Sequence, residues 1–179
     1  MISKDLYQLL ELQKSLDDEI AKPRLNKFTP RPKTLFDIRL AIDDEFQEWL
    51  KELPKELNFK TWKQKEYDRN KELEELTDVL FFYLQYLNQQ GNTFVKKGCA
   101  EIFNEFITKK RGKIVVGFEL LIKFFKVDLY DADISDSFRN YTNICIKRDF
   151  SAEEIIEMYL KKWEINMKRI NRDWMIKND

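Results

Sequence analysis

Hydrophobic residues recur along most of this chain in steps of three and four, which is the spacing of one face of a helix. The first two stripes predict helices over residues 3–21 and 34–53, and the second helix ends at Pro54. The sequence has no Asn-Gly hairpin signal, and it holds only four glycines and four prolines. We therefore predict an all-α fold, a bundle of helices.

Two further helices follow from their apolar patterns. Residues 71–89 are apolar almost all round after Asp78, as expected of a helix that is buried on most sides. Ser151 and Glu154 form a capping-box pattern, which marks the start of the last helix. The apolar stripe of that helix consists of Ile156, Tyr159, Trp163, Met167, Ile170 and Trp174.

The first helix carries one polar residue, Gln13, in its apolar stripe. The other members of the stripe are Leu6, Leu9, Leu16 and Ile20. A buried amide needs hydrogen-bond partners. Gln13 is therefore either a core residue with internal partners or a residue that faces a pocket and binds the polar edge of a ligand.

Residues 91–150 show the weakest pattern. Helices are possible there at 92–109, 118–127 and 136–147. A basic run from Lys109 to Lys113 lies among them, and such runs are more often solvated surface than ligand site. We predict a helical core made of residues 1–90 and 151–179, with 91–150 as an inserted accessory lobe.

Length and charge limit the class of protein. A chain of 179 residues that is 43% hydrophobic suits one domain with a substantial core. Its 32 basic and 32 acidic residues cancel, which argues against a general binder of nucleic acid or of membrane surfaces. The sequence has no membrane-spanning apolar run and no apolar signal segment at its start, so we expect a cytoplasmic protein.

Histidine is absent, and only two cysteines occur, Cys99 and Cys145. The cysteines suit buried thiols in a reducing compartment. The lack of histidine excludes histidine-based triads, acid–base catalysis by histidine and histidine-ligated zinc. If this chain is an enzyme, its chemistry falls to carboxylates, lysines, arginines, amides and metal.

Two acidic pairs carry the strongest chemical signal. Glu45 and Glu48 are spaced i, i+3, as are Glu75 and Asp78, so each pair lies on one helix face. On adjacent helices the four carboxylates would meet, and each close pair costs roughly 4 kcal/mol at an effective dielectric near 20. Mg²⁺ suits such oxygen ligands and mostly serves phosphate chemistry. The alternative is a pair of solvated helix faces.

A row of polar residues follows the apolar stripe of the last helix. Lys162, Asn166 and Arg169 are spaced by four and three residues and share one face. Cations in such a row can grip phosphate oxygens, with arginine giving bidentate contacts. The alternative is a solvated flank.

The order of these motifs resembles the dimeric, all-α dUTPases, relatives of the MazG-like nucleotide pyrophosphatases, and the compact form resembles phage-borne members. The matching residues are Gln13, Leu16, Glu45, Glu48, Phe59, Lys60, Trp62, Lys63, Glu75, Asp78, Tyr159, Lys162, Asn166 and Arg169. The resemblance implies Mg²⁺-dependent hydrolysis of dUTP to dUMP and pyrophosphate by a homodimer. It places the protein in the bacterial host cytoplasm if a phage encodes it.

The resemblance also implies a role for each motif. Glu45, Glu48, Glu75 and Asp78 would be the catalytic metal ligands, and Glu48 would orient the attacking water. Gln13 would bind the uracil edge. The remaining substrate contacts would come from Trp62 beside the base and from Lys60, Lys63, Lys162, Asn166 and Arg169 at the phosphates.

The sequence departs from the family at Asp17, where Leu-Asn is frequent, and in residues 91–150, which match no family segment. Two alternatives remain open. One is a MazG-like or dCTP-directed pyrophosphatase with the same metal site. The other is a non-enzymatic helical interaction protein that docks partners through 91–150. A regulator protein bound to 91–150 is also compatible with an enzyme.

Overall fold

The computed structural model describes residues 4–23 and 29–170, which form seven α-helices and no strand. The helices are α1 (Leu6–Ile20), α2 (Leu35–Glu52), α3 (Arg69–Gln90), α4 (Thr93–Ile107), α5 (Phe118–Asp131), α6 (Ile134–Lys147) and α7 (Ala152–Ile170). The predicted all-α fold is confirmed. Trp174, the last member of the predicted final stripe, lies outside the described residues. Among the described helices, none has the length and apolarity needed to cross a membrane.

Local sequence signals set the helix ends. The side chains of Thr34 and Asp37 form reciprocal hydrogen bonds with each other's backbone N–H at the start of α2. Ser151 and Glu154 do the same at the start of α7, as predicted. Since the residue before a proline avoids helical geometry, α2 ends at Glu52, ahead of Pro54.

Helix α3 is the centre of the bundle. Half of its 22 residues are buried, which confirms the burial predicted from its apolar surface. It packs most extensively on α2 and also contacts α1 and α7. Gly91 ends it in the left-handed conformation at φ 69°, where glycine carries no steric penalty.

Helices α5 and α6 pack against α2 and α3, whereas α4 packs on α6 and α1. The rings of Phe46 on α2 and Phe125 on α5 stack with centroids 3.9 Å apart. The hydroxyl of Tyr141 on α6 donates to the carbonyl of Leu76 on α3 at 2.9 Å. One hydrophobic cluster therefore joins residues from all seven helices, and it includes both cysteines as buried thiols. The division into a core and an accessory lobe at 91–150 stays a prediction.

A buried carboxylate joins α2, α3 and the end of α6. Glu72 is fully buried and accepts hydrogen bonds from Arg148 at 2.7 and 2.9 Å. It also accepts from the indole of Trp49 at 3.1 Å and from the hydroxyl of Tyr67 at 2.7 Å. The apolar stripes did not predict this network. It lies one turn before Glu75, so it holds α2 and α3 in register beside the acidic pairs.

Candidate active site

Three of the four predicted acidic residues converge where α2 lies against α3. One carboxylate oxygen each from Glu45, Glu75 and Asp78 lies within 4.8 Å of the other two. Glu45 comes from α2, whereas Glu75 and Asp78 lie one turn apart on α3. The packing of α2 on α3 therefore creates a cluster that neither helix has alone.

Glu48 lies at the edge of this cluster. It is 47% exposed and pairs with Lys51, one turn further along α2. Glu75 is the weakest of the charges that act on Lys51, so the Glu48–Lys51 pair is only weakly linked to the cluster. The structure thus groups three carboxylates tightly and leaves the fourth at the solvent boundary.

Lysines balance the charge of the carboxylates. The ammonium of Lys71 lies 2.8 Å from Glu75, and both residues belong to α3. Lys162 reaches across from α7 to pair with Asp78, and its ammonium also approaches the carbonyl of Glu74 at 3.4 Å. Each ion pair is partly buried, so the cations offset a repulsion that water screens only in part.

The cluster changes the acidity of its members. Burial raises the pKa of Glu45 to about 7, and the negative charges of Asp78 and Glu75 add to the rise. Burial also raises the pKa of Asp78, although Lys162 opposes that rise. A bound cation would stabilise the charged forms of such closely spaced carboxylates.

The donor set fits a divalent metal ion. Three carboxylates supply hard oxygen ligands from two rigid helices, and the site is partly open to water. Mg²⁺ binds through a few carboxylates and keeps several waters, so it matches this arrangement.

Gln13 is buried on α1 and has both ends of its amide engaged. Its Nε2 donates to Asp17 at 2.8 Å, and its Oε1 accepts from the hydroxyl of Tyr159 at 3.1 Å. Gln85 donates to the same oxygen of Asp17 at 2.9 Å. Burial raises the pKa of Asp17 to about 6, against these two hydrogen bonds, which lower it.

The segment between α2 and α3 carries the predicted base and phosphate residues. The buried side chain of Asn58 anchors it by donating to the carbonyls of Lys51 and Leu53, both at 3.0 Å. Lys63 donates to the carbonyl of Lys51 and lies 3.9 Å from Glu52, at the end of α2. Trp62 is 75% exposed. Lys60 is partly buried, with its ammonium 5.9 Å from the Phe59 ring centroid.

The predicted polar row continues along α7 from Lys162. Asn166 is partly exposed and Arg169 is exposed, one and two turns beyond the lysine that pairs with Asp78. The row therefore leads from the acidic cluster towards the end of the described chain.

Sequence reasoning missed the counterions Lys51 and Lys71 and the role of Gln85. Two of these had a local signal, because Lys51 follows Glu48 by three residues and Lys71 precedes Glu75 by four, both helical pair spacings. Gln85 meets Asp17 only through the packing of α1 on α3, and no spacing reveals that contact.

The fold and the site together define an all-α protein with a carboxylate centre able to take a metal ion. The chain belongs to the dUTPase family, since the family model described as dUTPase matches residues 5–174. A comparison with curated proteins finds no match. The protein is a dUTP diphosphatase, a hydrolase that converts dUTP to dUMP and pyrophosphate. This result confirms the predicted activity.

Proposed function

We propose that hydrolysis depends on Mg²⁺ held by Glu45, Glu75 and Asp78. The observation that carries this proposal is the convergence of their carboxylates within 4.8 Å. A metal ion held by these residues would neutralise charge on the phosphates and lower the pKa of a coordinated water. The three side chains come from packed helices, so little reorganisation is needed to present them together.

Glu48 is proposed to orient the attacking water rather than to form the tight part of the site. It lies one turn from Glu45 on the same helix face, and its 47% exposure leaves it accessible to water. Its lysine partner is a surface contact that adds little free energy, so Glu48 can exchange it for a water molecule.

Lys162 is proposed to serve two anions in turn. In the free protein it pairs with Asp78. With a cation held at Asp78, the Lys162 ammonium would be free to contact phosphate oxygens, and Asn166 and Arg169 would extend that contact along α7. Positive groups held there stabilise the charge that builds on the leaving pyrophosphate.

The base is proposed to lie near Gln13, with Lys60, Trp62 and Lys63 contributing from the segment after α2. Each end of an amide can form two hydrogen bonds, so the contacts with Asp17 and Tyr159 leave one donor and one acceptor for uracil. The same contacts orient the amide, and a fixed amide discriminates more sharply between uracil and cytosine. The large exposed ring of Trp62 has apolar surface to cover a base.

The metal proposal has a direct test. Glu45→Gln, Glu75→Gln and Asp78→Asn should each abolish pyrophosphate release from dUTP and remove the stabilisation that Mg²⁺ gives in thermal unfolding. Glu74→Gln is the matched control, because Glu74 neighbours Glu75 but is not part of the cluster. Turnover in wild-type protein with EDTA, at the rate seen with Mg²⁺, would reject the proposal.

Glu48→Gln separates water orientation from metal binding. We expect turnover to fall by a factor of about 100 or more, where about 100 is the lower end of the range for a lost acid–base group, while Mg²⁺ still stabilises the fold. If the Mg²⁺ stabilisation disappears as well, Glu48 is a full ligand. Unchanged turnover contradicts any role for it.

A panel of dUTP, dCTP, dTTP and UTP tests how strict the base choice is.

A homodimer is proposed from the exposed apolar side chains on α2 and α5. The rings of Phe36 and Tyr130 pack 6.4 Å apart, which places the two helices side by side at the surface. The exposed apolar residues of these helices are Phe36, Leu40, Leu120, Phe124, Val127 and Tyr130. Exposed apolar side chains on two adjacent helices are typical of an interface. A cytoplasmic location, the absence of nucleic-acid binding and a regulator at 91–150 stay predictions.

A further inference from the structure

A cleft lies away from the acidic cluster, where α4 and α6 end and α7 begins. It has a volume of about 630 Å³. Lys109 and Asp149 follow α4 and α6, and both have left-handed backbones, with φ of 53° and 57°. Ala152, the first residue of α7, also lines the cleft, roughly 15 Å along the helix from Lys162. The dUTP site and this cleft are therefore separate.

Four cationic residues line the cleft, namely Lys109, Arg111, Lys113 and Lys147. Among the described residues, Asp149 is the one acidic residue in its wall. Lys147 donates to the carbonyl of Ile114 at 3.0 Å, which fixes its position without neutralising its charge. Lys109 and Lys113 are exposed at the rim. Three of these cations come from the basic run that the sequence shows at 109–113.

Arg111 is built into the wall. Its guanidinium donates to Glu105 at 2.9 Å, to Thr142 at 2.7 Å and to Asn143 at 2.9 Å. The remaining nitrogen, Nη2, is buried and has no hydrogen-bond partner among the described residues. A buried donor without a partner costs free energy, and the wall that encloses Nη2 keeps this nitrogen out of contact with solvent in the cleft.

The cations exceed what the helix ends require. The carboxyl ends of α4 and α6 each contribute roughly half a negative charge, and the amino end of α7 contributes roughly half a positive one. The lining of the cleft itself carries four cations against one carboxylate, while Glu105, Glu153 and Glu154 stand behind it and Arg69 pairs with Glu154. This excess is local, since the whole chain is neutral.

We propose that this cleft binds a phosphate-bearing small molecule with an apolar or planar body, of which a nucleotide is the model. The basic residues of the lining match phosphate oxygens. Phe106, Ile114, Ile146 and Phe150 supply an apolar wall beside them. The volume is that of a small-molecule site, and the neutral chain argues against an extended nucleic acid.

The test is calorimetric titration of the full chain with adenosine 5′-monophosphate, at low salt and with EDTA. Wild-type protein should bind. Lys109→Gln/Lys113→Gln should weaken binding by roughly fivefold to tenfold, the effect of two exposed ion pairs. Lys110→Gln/Lys123→Gln removes the same charge from exposed positions outside the cleft and should change affinity less than about twofold. Thermal unfolding checks that both variants fold.

Four outcomes overturn the proposal. The first is no binding by wild-type protein. The second is equal weakening in the two double variants, which indicates general surface charge. The third is that Lys162→Gln weakens nucleotide binding more than Lys109→Gln/Lys113→Gln does, which places the nucleotide at the proposed dUTP site. The fourth is that a single-stranded oligonucleotide binds far more tightly than the mononucleotide and that its binding depends on Lys109 and Lys113 in the same way.

Discussion

Burial and hydrogen bonding act on the pKa of Asp17 in opposite directions. Two amides donate to the same oxygen, yet burial prevails and raises the pKa to about 6. The protonated form is therefore favoured by folding, relative to the usual pKa of 3.8. By linkage, the stability contributed by this group is complete below about pH 4 and is lost as the pH rises through 6.

Asp17→Asn should remove the loss of folding stability that occurs as the pH rises through 6. The asparagine carbonyl can still accept from both amides, while no charge is buried. We expect the variant to be more stable than wild type by about 1–2 kcal/mol at pH 7.5, discounted for partial exposure, with the difference vanishing near pH 4. Urea unfolding at the two pH values measures this. Asp18→Asn, at an exposed neighbour, is the control, and an equal difference at both pH values would contradict the argument.

At the scale of the helices, Glu72 holds α3 to α2 and to the end of α6. It is the one fully buried carboxylate of the described chain, and its cation Arg148 is mostly buried. Breaking such a pair is costly because the remaining charge has no water to solvate it. The pair also sits one turn from Glu75, so its loss would loosen the segment that presents the acidic cluster.

Arg148→Met keeps the apolar stem and removes the charge. We expect a loss of about 3–5 kcal/mol in the free energy of unfolding. Arg139→Met is the matched control, because Arg139 pairs with Glu105 at 3.4 Å in an exposed contact worth less than about 1 kcal/mol. Urea denaturation compares the two variants, and similar losses would show that burial does not govern the pair.

At the scale of the whole molecule, a neutral chain with an apolar patch on α2 and α5 is suited to self-association. Charge repulsion does not oppose a second copy, and burying aromatic and aliphatic side chains favours it. A shared interface would also steady α2, which carries Glu45 and Glu48.

Phe36→Glu and Val127→Glu should each weaken the dimer by a factor of about ten or more, because a buried unpaired charge is costly. Sedimentation velocity over a range of concentrations measures the change. Val115→Glu is the control, since Val115 is 88% exposed outside this patch. A wild-type protein that stays monomeric at every concentration would reject the homodimer.

The sequence by itself determined the helices and the residues that share a face within each of them. Spacings of three and four residues are local properties of helix geometry, so the stripes, the capping boxes and the two acidic pairs could be read directly. Even the missing histidine limited the chemistry without any coordinates.

Only the tertiary structure decided which groups meet across helices. It joined Glu45 to Glu75 and Asp78 and left Glu48 at the edge, because the rotation of α2 against α3 depends on packing over their whole length. It brought Lys162 from α7 to Asp78, Gln85 to Asp17, and Arg148 to a buried Glu72. These contacts join residues that lie up to 84 positions apart in the sequence, and their geometry depends on how side chains fill the core.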